Sequence, residues 1–480
     1  MKKTTLVLAL LAALLPTTLL ADSSQQISFS KQWTYAHGAI AGQVSEIPAF
    51  DSRSNTLWVA GVIGVDVLDA KTGALLAHID TTAHGSVNSV AVKHGVAAFA
   101  VESASRTSPG VVLLYDTKTR LPSAGINAIQ VGALPDMVTF TPDGTRLLVA
   151  NEATPYAYGT RIGTTIPYEY APSANDPAGS VSIIDMATRS VIATAGFNGV
   201  PTFGSNLRTK TGMDFEPEYI AVNEDGTKAF VTLQEANAMA VLDLKTNKFT
   251  RIVGLGAKDF NLPGNQIDPL NDGIVSFGSH KAKGLYMPDG IAAYEWKDKT
   301  YLVMANEGDF REDDKDRTAA STFGAVAPLD KMRVSNADSS TGDLYAAGAR
   351  SFSIRDEAGN LVYDSGDILD KKAAELNIYD DGRSRDKGVE PEGVALLDIG
   401  DRTYAFVGLE RTLKSAVAVF DITNPRQVSY VDMIVTDGDV SPEGLAAYQY
   451  RGDFYLAIAN EVSNTTSLYL INKLNKGHHH

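Results

Sequence analysis

A pattern that recurs seven times limits the fold of this chain more than any other feature. Each copy runs from a Pro or acidic start through an apolar strand, a turn, a second apolar strand and a Glu to a third strand ending in Asp. One copy reads Leu134-Pro-Asp-Met-Val-Thr-Phe, turn Pro142-Asp-Gly, Leu147-Leu-Val-Ala-Asn-Glu152, then Val181-Ser-Ile-Ile-Asp185. Another reads Glu216-Pro-Glu-Tyr-Ile-Ala-Val, turn Glu224-Asp-Gly, Phe230-Val-Thr-Leu-Gln-Glu235, then Ala240-Val-Leu-Asp243. Further copies begin at Pro288, Pro391 and Pro442, with degenerate ones near Pro48 and Val87. Short alternating strands joined by Gly-containing turns predict antiparallel β-meanders. Seven such units, with a period of about 40 residues before insertions, predict an all-β, seven-bladed β-propeller. The last unit stops after its third strand, 467–471. The strand-like N-terminal segment 27–35 is expected to supply the missing outer strand and close the last blade, removing an exposed edge.

The flanks are read separately. Residues 1–21 have a basic start at Lys2 and Lys3, an apolar run over 6–15 and a small residue, Ala21, as expected of a signal peptide. Residues 477–480 are expected to be a tag remnant, leaving 22–476 as one propeller domain. The apolar run is too short for a membrane anchor, and no run of about 18 apolar residues follows it. The expectation is a monomeric periplasmic or secreted protein. With no cysteine, disulfides and thiolate metal sites are excluded. The net charge of −15 becomes −17 without Lys2 and Lys3, which argues against a nucleic-acid partner.

In a propeller blade the start of the innermost strand and the end of the second strand share one face near the axis. Acids recur at both places. The first set is Asp136, Glu218, Asp289, Glu392 and Glu443; the second is Glu102, Glu152, Glu235, Glu307, Glu410 and Glu461. Within a blade the separations are 16, 17, 18, 18 and 18 residues, one hairpin each time, while the first blade is expected to depart with Ala49 and Val62 at those places. Eleven carboxylates would then converge on one mouth, with Glu216 and Glu390 just upstream. Such crowding raises carboxyl pKa values and destabilises a fold unless cations neutralise it. Several Ca2+ ions are the expected cofactor, because calcium accepts many carboxylates in irregular geometry.

Insertions 153–179, 308–348, 196–215, 256–287 and 364–389 are expected to open on the same face. They read as too rich in Gly and Asp to build a second hydrophobic core. Among the basic residues there, Arg411 follows Glu410 and Arg311 lies just past Glu307. Arg383, Arg385 and Lys387 precede Glu390, and His84 and Asn88 flank the second unit's start. Arginine beside a bound cation suits a phosphate or carboxylate ligand. Asp69, Asp116, Asp185, Asp243 and Asp421 read as turn-capping acids on the far face. The acidic runs 312–316 and 268–272 lack EF-hand order, and no nucleophile elbow, P-loop or dinucleotide fingerprint occurs.

The stretches Met287-Pro-Asp-Gly-Ile-Ala-Ala-Tyr, Met304-Ala-Asn-Glu-Gly-Asp309, Gln234-Glu-Ala-Asn-Ala-Met-Ala-Val-Leu-Asp243, Glu390-Pro-Glu-Gly-Val-Ala, Phe406-Val-Gly-Leu-Glu-Arg411 and Ala459-Asn-Glu-Val-Ser463 together resemble the choice-of-anchor I proteins. These are exported β-propellers that include domains of atypical secreted alkaline phosphatases. Phe310 departs from the pattern, which has a small residue there. The resemblance implies a calcium-dependent phosphatase acting on a small anionic phosphoester, similar in concept to β-propeller phytases. Glu307, Glu410, Arg311 and Arg411 are then the expected catalytic residues. The alternative reading is a calcium-stabilised binding or adhesion propeller without chemistry.

Overall fold

The inner strands of this chain are apolar on both faces and short, so they need partners on each side. Their second strands are buried along their whole length in Thr56–Gly61 and Thr300–Asn306 and over all but the first residue in Val96–Val101, while an outer strand such as Ser190–Gly196 alternates exposed residues with half-buried or buried ones. A computed structural model describes residues 27–155, 161–162, 169–170, 176–209, 215–311 and 316–474. The expected leader 1–21 and tag remnant 477–480 lie outside them.

The architecture is all-β, with 51% of residues in strands and 5% helical. Seven sheets have four or more strands, and each runs in simple antiparallel order from an innermost to an outermost strand. Their innermost strands are, in chain order, Pro48–Asp51, Val87–Lys93, Pro135–Phe140, Ile220–Val222, Ile291–Glu295, Pro391–Ile399 and Pro442–Tyr450. The sheets are called first to seventh in that order. The fourth carries an extra edge strand, Thr202–Ser205, paired parallel to Lys248–Leu255. The seventh takes its outermost strand from the other end of the chain: Ile27–Ala36 pairs antiparallel with Thr465–Lys473.

An apolar layer fills each space between successive sheets. Trp58, Val67, Phe99 and Val101 join the first to the second, and Phe352, Ala405 and Phe420 join the fifth to the sixth. Leu57, Leu68, Ala457 and Leu468 join the seventh back to the first. A cavity of about 370 Å³ is lined by the innermost strands of the second to seventh sheets and by Ile47, directly before that of the first. The far-face aspartates cap turns as the sequence predicts: Asp69 Oδ1 accepts from the amides of Lys71 (3.0 Å) and Thr72 (2.8 Å), and Asp243 Oδ1 accepts from Lys245 (2.8 Å) and Thr246 (2.9 Å).

The insertions depart from expectation. Two of them assemble a second hydrophobic core from Phe260, Ile267, Phe323, Met332, Val334 and Leu344. It lies under a small sheet of Ala257–Asp259, Lys283–Leu285 and Tyr345–Ala346 and a hairpin of Arg317–Ala319 and Arg333–Ser335. The apolar residues are too sparse to signal a core in either insertion alone, and only their union makes one. Arg208 ties this cap to the sheets. It donates to Asp316 (2.9 Å), Asp338 (2.8 Å) and the Glu235 carbonyl (2.6 Å), with its guanidinium over the Phe310 ring. Phe310 itself is buried beside Leu285 and Met287.

Deleting Ile27–Ala36 would leave Thr465–Lys473 as an unpaired edge. The expected outcome is a Tm lower by about 10 °C or more, with self-association in size-exclusion chromatography. An unchanged Tm and elution would show that the strand is dispensable.

Candidate functional site: an acidic cavity on the sheet axis

One backbone device recurs in the innermost strands. In the third sheet the register slips between Pro135 and Met137, so Asp136 and Met137 together face Ala150. The same slip places Asn88 in the second sheet, Glu392 in the sixth and Glu443 in the seventh. In the fourth, Glu218 N–H donates to Thr232 O while Thr232 N–H donates to Tyr219 O. Asp289, Gly290 and Ala305 repeat this in the fifth. Each is a β-bulge, which turns one side chain out of the strand's alternation. The turned residue is an acid in every case except Asn88.

This pattern corrects the reading of the first sheet. Glu46 N–H donates to Ala60 O and Ala60 N–H donates to Ile47 O, so Glu46, not Ala49, is the bulged residue. Ala49 lies within the regular ladder opposite Trp58. The bulge adds a residue that a strand-by-strand alignment does not count. The available signal was spacing: Glu46 precedes Val62 by the same 16 residues that separate Asp136 from Glu152. In the fourth sheet the second-strand place belongs to Gln234, and Glu235 follows it.

A second device holds the two acids of a sheet together. Leu134, Met287, Glu390 and Ser441 adopt left-handed φ values of 43°, 44°, 52° and 64°, each directly before a proline. Their carbonyls accept from the amides of Glu152 (2.8 Å), Gly308 (3.0 Å), Glu410 (3.0 Å) and Glu461 (2.8 Å). Non-glycine residues in this region cost about 1–3 kcal/mol each and cluster at functional sites.

The result is a cavity of about 700 Å³. Ten of the eleven predicted acids line it: Asp136, Glu152, Glu218, Glu235, Asp289, Glu307, Glu392, Glu410, Glu443 and Glu461. Glu102 borders a neighbouring cavity together with Asp136 and Glu152. Glu46, Asp309 and Glu390 join the wall. Among the described residues, four cationic side chains accompany these thirteen carboxylates: Arg317, Arg383, Lys387 and Arg411.

The cations gather on one side. Lys387 Nζ lies 2.7 Å from Glu307 Oε1 and 2.9 Å from Glu390 Oε2. Arg383 Nε donates to Glu390 Oε1 at 2.6 Å, and Arg411 pairs with Glu410 Oε1 at 2.6 Å. The Arg411 side chain is 42% exposed, so it can reorient. Arg311 is not at the wall. Its buried guanidinium pairs with Glu216 Oε2 at 2.8 Å, behind Glu235. His84 is exposed away from the cavity. In the two acidic runs, 312–315 lie outside the described residues, Asp316 pairs with Arg208, and Asp268 and Asp272 cap turns.

Burial dominates the electrostatics and neighbouring carboxylates add to it. Burial, then Glu461 and Glu102, push Glu46 up to about 7; burial, then Glu46, Glu102 and Glu235, push Asp136 up to about 7. Burial and Glu152 raise Glu235 to about 8 although Arg311 opposes them. Burial and Glu307 raise Glu410 to about 8 against Arg411. Glu218, Asp289, Glu392 and Glu443 rise well above the usual carboxylate range for the same two reasons.

The donor set suits a hard cation. Three triplets each offer oxygens within 4.8 Å of one another: Asp289, Glu307 and Glu392; Glu307, Glu390 and Glu410; Glu392, Glu410 and Glu443. They share members, so the acids form one continuous chain. Buried Glu235 Oε2 and Glu392 Oε2 have no hydrogen-bond partner among the described residues. All-carboxylate oxygen donors fit calcium, whose opposed ligands stand about 5 Å apart.

The fold is all-β, its four-stranded sheets are consistent with a β-propeller, and the acids their strands carry meet in one cavity. A family model for the choice-of-anchor I domain matches residues 46–425, and the chain belongs to that family. The family is associated with the cell surface or extracellular space, and among the described residues no helix is long and apolar enough to cross a membrane. No curated protein sequence matches the chain. Among solved structures, a chain of hydrazine synthase from Kuenenia stuttgartiensis is similar at a TM-score of 0.52 and 12% identity, covering 92% of this chain and 99% of that one. A chain from a crystal structure of the mitotic checkpoint complex is similar at 0.51 and 11%, covering 98% and 99%. At these identities the likeness concerns the fold alone.

A raised carboxyl pKa means the folded state holds protons that the unfolded chain releases. Stability is therefore fully present below the ordinary carboxylate range and lost as pH rises through the values of about 7 and 8. Chelator-treated protein should show a Tm that falls steadily from about pH 5 to about pH 9. Added calcium should remove most of that fall in differential scanning calorimetry. A Tm independent of both pH and calcium would contradict the electrostatic account.

Proposed function

We propose that the seven sheets are the blades of one closed seven-bladed propeller, with Ile27–Ala36 as the outermost strand of the last blade. On this reading the acidic cavity is the calcium site of a periplasmic or secreted phosphoester hydrolase related to the atypical alkaline phosphatases. The apolar layer joining the seventh sheet to the first supports closure.

The observation that carries the catalytic reading is the chain of three carboxylate triplets with Lys387, Arg383 and Arg411 along its edge. Glu307, Glu390, Glu392, Glu410, Asp289 and Glu443 would hold the ions. Bound calcium would supply positive charge for phosphoryl oxygens and acidify water beside them. Arg411, half-exposed, can leave Glu410 for a phosphoryl oxygen and form the paired hydrogen bonds that its planar fork favours. Lys387, buried between Glu307 and Glu390, fixes those two carboxylates in position. Arg311 acts through Glu216 and Glu235 as a positioning residue, not as a contact to substrate.

A second reading, a calcium-stabilised binding propeller, draws support from the ion pairing of Arg383, Lys387 and Arg411 to wall carboxylates. Turnover separates the two. Calcium-loaded protein should hydrolyse an aryl phosphate, and a chelator should abolish the activity. Glu307→Gln combined with Glu410→Gln should lower kcat/KM by about 100-fold or more and remove the calcium-induced rise in Tm. Stabilisation by calcium with no turnover of phosphomonoesters, diesters or phytate would favour the second reading.

A further inference from the structure

We propose that the break in the acidic repeat at the first two sheets is the subsite for the alcohol portion of the substrate. The structure assigns it to a neutral polyol or monosaccharide. This rests on the phosphoester reading above and adds the substrate class to it.

The break is local. Val62 stands at the second-strand place of the first sheet and Asn88 at the bulge of the second. Elsewhere around the cavity these places hold acids, apart from Gln234, whose amide is spent on Glu307 Oε2 at 2.9 Å. The carboxylate triplets and their cations lie across the cavity, in the fifth to seventh sheets. A phosphoryl group drawn to that side leaves its ester substituent pointing toward the first and second sheets, where Val62 and Asn88 interrupt the acids.

Space exists there. A second cavity of about 620 Å³ adjoins the acidic one, sharing Asn88, Asp136 and Glu152 with it. That size is typical of small-molecule sites. The remaining wall combines short hydroxyl side chains, Thr82, Ser86 and Ser103, with apolar Val62, Ile63 and Leu134. Arg106 brings one positive charge, and the carboxylates of Glu102, Asp136 and Glu152 offer acceptors for the hydroxyls of a polyol. Hydroxyls opposite aliphatic groups match a sugar or polyol, which offers hydroxyls at its edge and C–H groups on its face. Val62 is 41% exposed, so the subsite opens to solvent and admits the substituent.

The test compares ligands that are not hydrolysed, by titration calorimetry on the calcium-loaded full chain. The probes are the methylenephosphonate analogue of glucose 6-phosphate, phenylphosphonate and methylphosphonate. The sugar analogue should bind about tenfold more tightly than either other ligand, a difference worth about 1.4 kcal/mol. Val62→Trp and, separately, Ser103→Tyr fill the cavity from the first and the second sheet. Each should erase that advantage while leaving methylphosphonate affinity and the calcium-induced Tm rise unchanged, and either variant suffices if the other does not fold. Equal affinities, a preference for phenylphosphonate, or an advantage that survives both substitutions overturns the subsite and leaves the phosphoryl reading standing. Failure of all three ligands to bind with calcium present overturns both, with the fault at the phosphoryl site.

Discussion

The repulsion among carboxylates gathered on one axis is the constraint to which the rest of this structure answers. Burial and mutual charge lift Glu46, Asp136, Glu235 and Glu410 to about 7 or 8. A flexible surface would relieve such crowding by spreading. Here the acids cannot spread, because each sits either on a bulge at the start of an innermost strand or just past the end of a second strand, on sheets packed between apolar layers. The scaffold holds a high negative potential in place, and a hard cation is the chemical partner that potential favours.

The side chain that follows each bulged residue decides where crowding is greatest. In the first four sheets it is Ile47, Ser89, Met137 or Tyr219, and these close the cavity floor. In the last three it is Gly290, Gly393 or Gly444. A Cβ on these glycines would lie 2.4, 2.3 and 2.4 Å from the carbonyl oxygens of Glu392, Glu443 and Glu46. Glycine therefore lets each sheet's acid approach the next sheet's backbone, and the three triplets fall on this side of the axis. Among the described residues, the opposite side, with Val62 and Asn88, holds no such triplet. One repeated motif thus yields a polarised site through small departures between copies.

The cap depends on the same economy of buried charge. Arg208, Arg350 and Arg311 are each almost wholly buried; Arg208 and Arg350 are matched to carboxylates and carbonyls from more than one segment, and Arg311 to Glu216. Arg350 alone reaches Asp370 and the carbonyls of Asp268, Ser384 and Asp386. Removing one partner of such a network leaves an uncompensated buried charge, a far larger cost than the loss of a surface pair. The cap is thereby fixed to the wall that carries Glu235 and Glu307.

Much of this was legible in one dimension. The recurrence of strand, turn and Glu identified the all-β class and the units, since two-residue periodicity and turn residues are local properties. The same recurrence picked out ten of the acids that line the cavity, because one hairpin always returns the chain to the same face. Glu46 was not legible, because a bulge inserts a residue that pattern matching reads as a shift in register. Neither was the second core, whose apolar residues come from separate insertions. Only the tertiary structure decided which cation meets which acid. Arg311 lies four residues from Glu307 in the chain yet pairs with Glu216, while Lys387 crosses eighty residues to reach Glu307. Charge pairing acts through space over a few ångströms, and sequence distance carries no information about it once strands from distant segments share an axis.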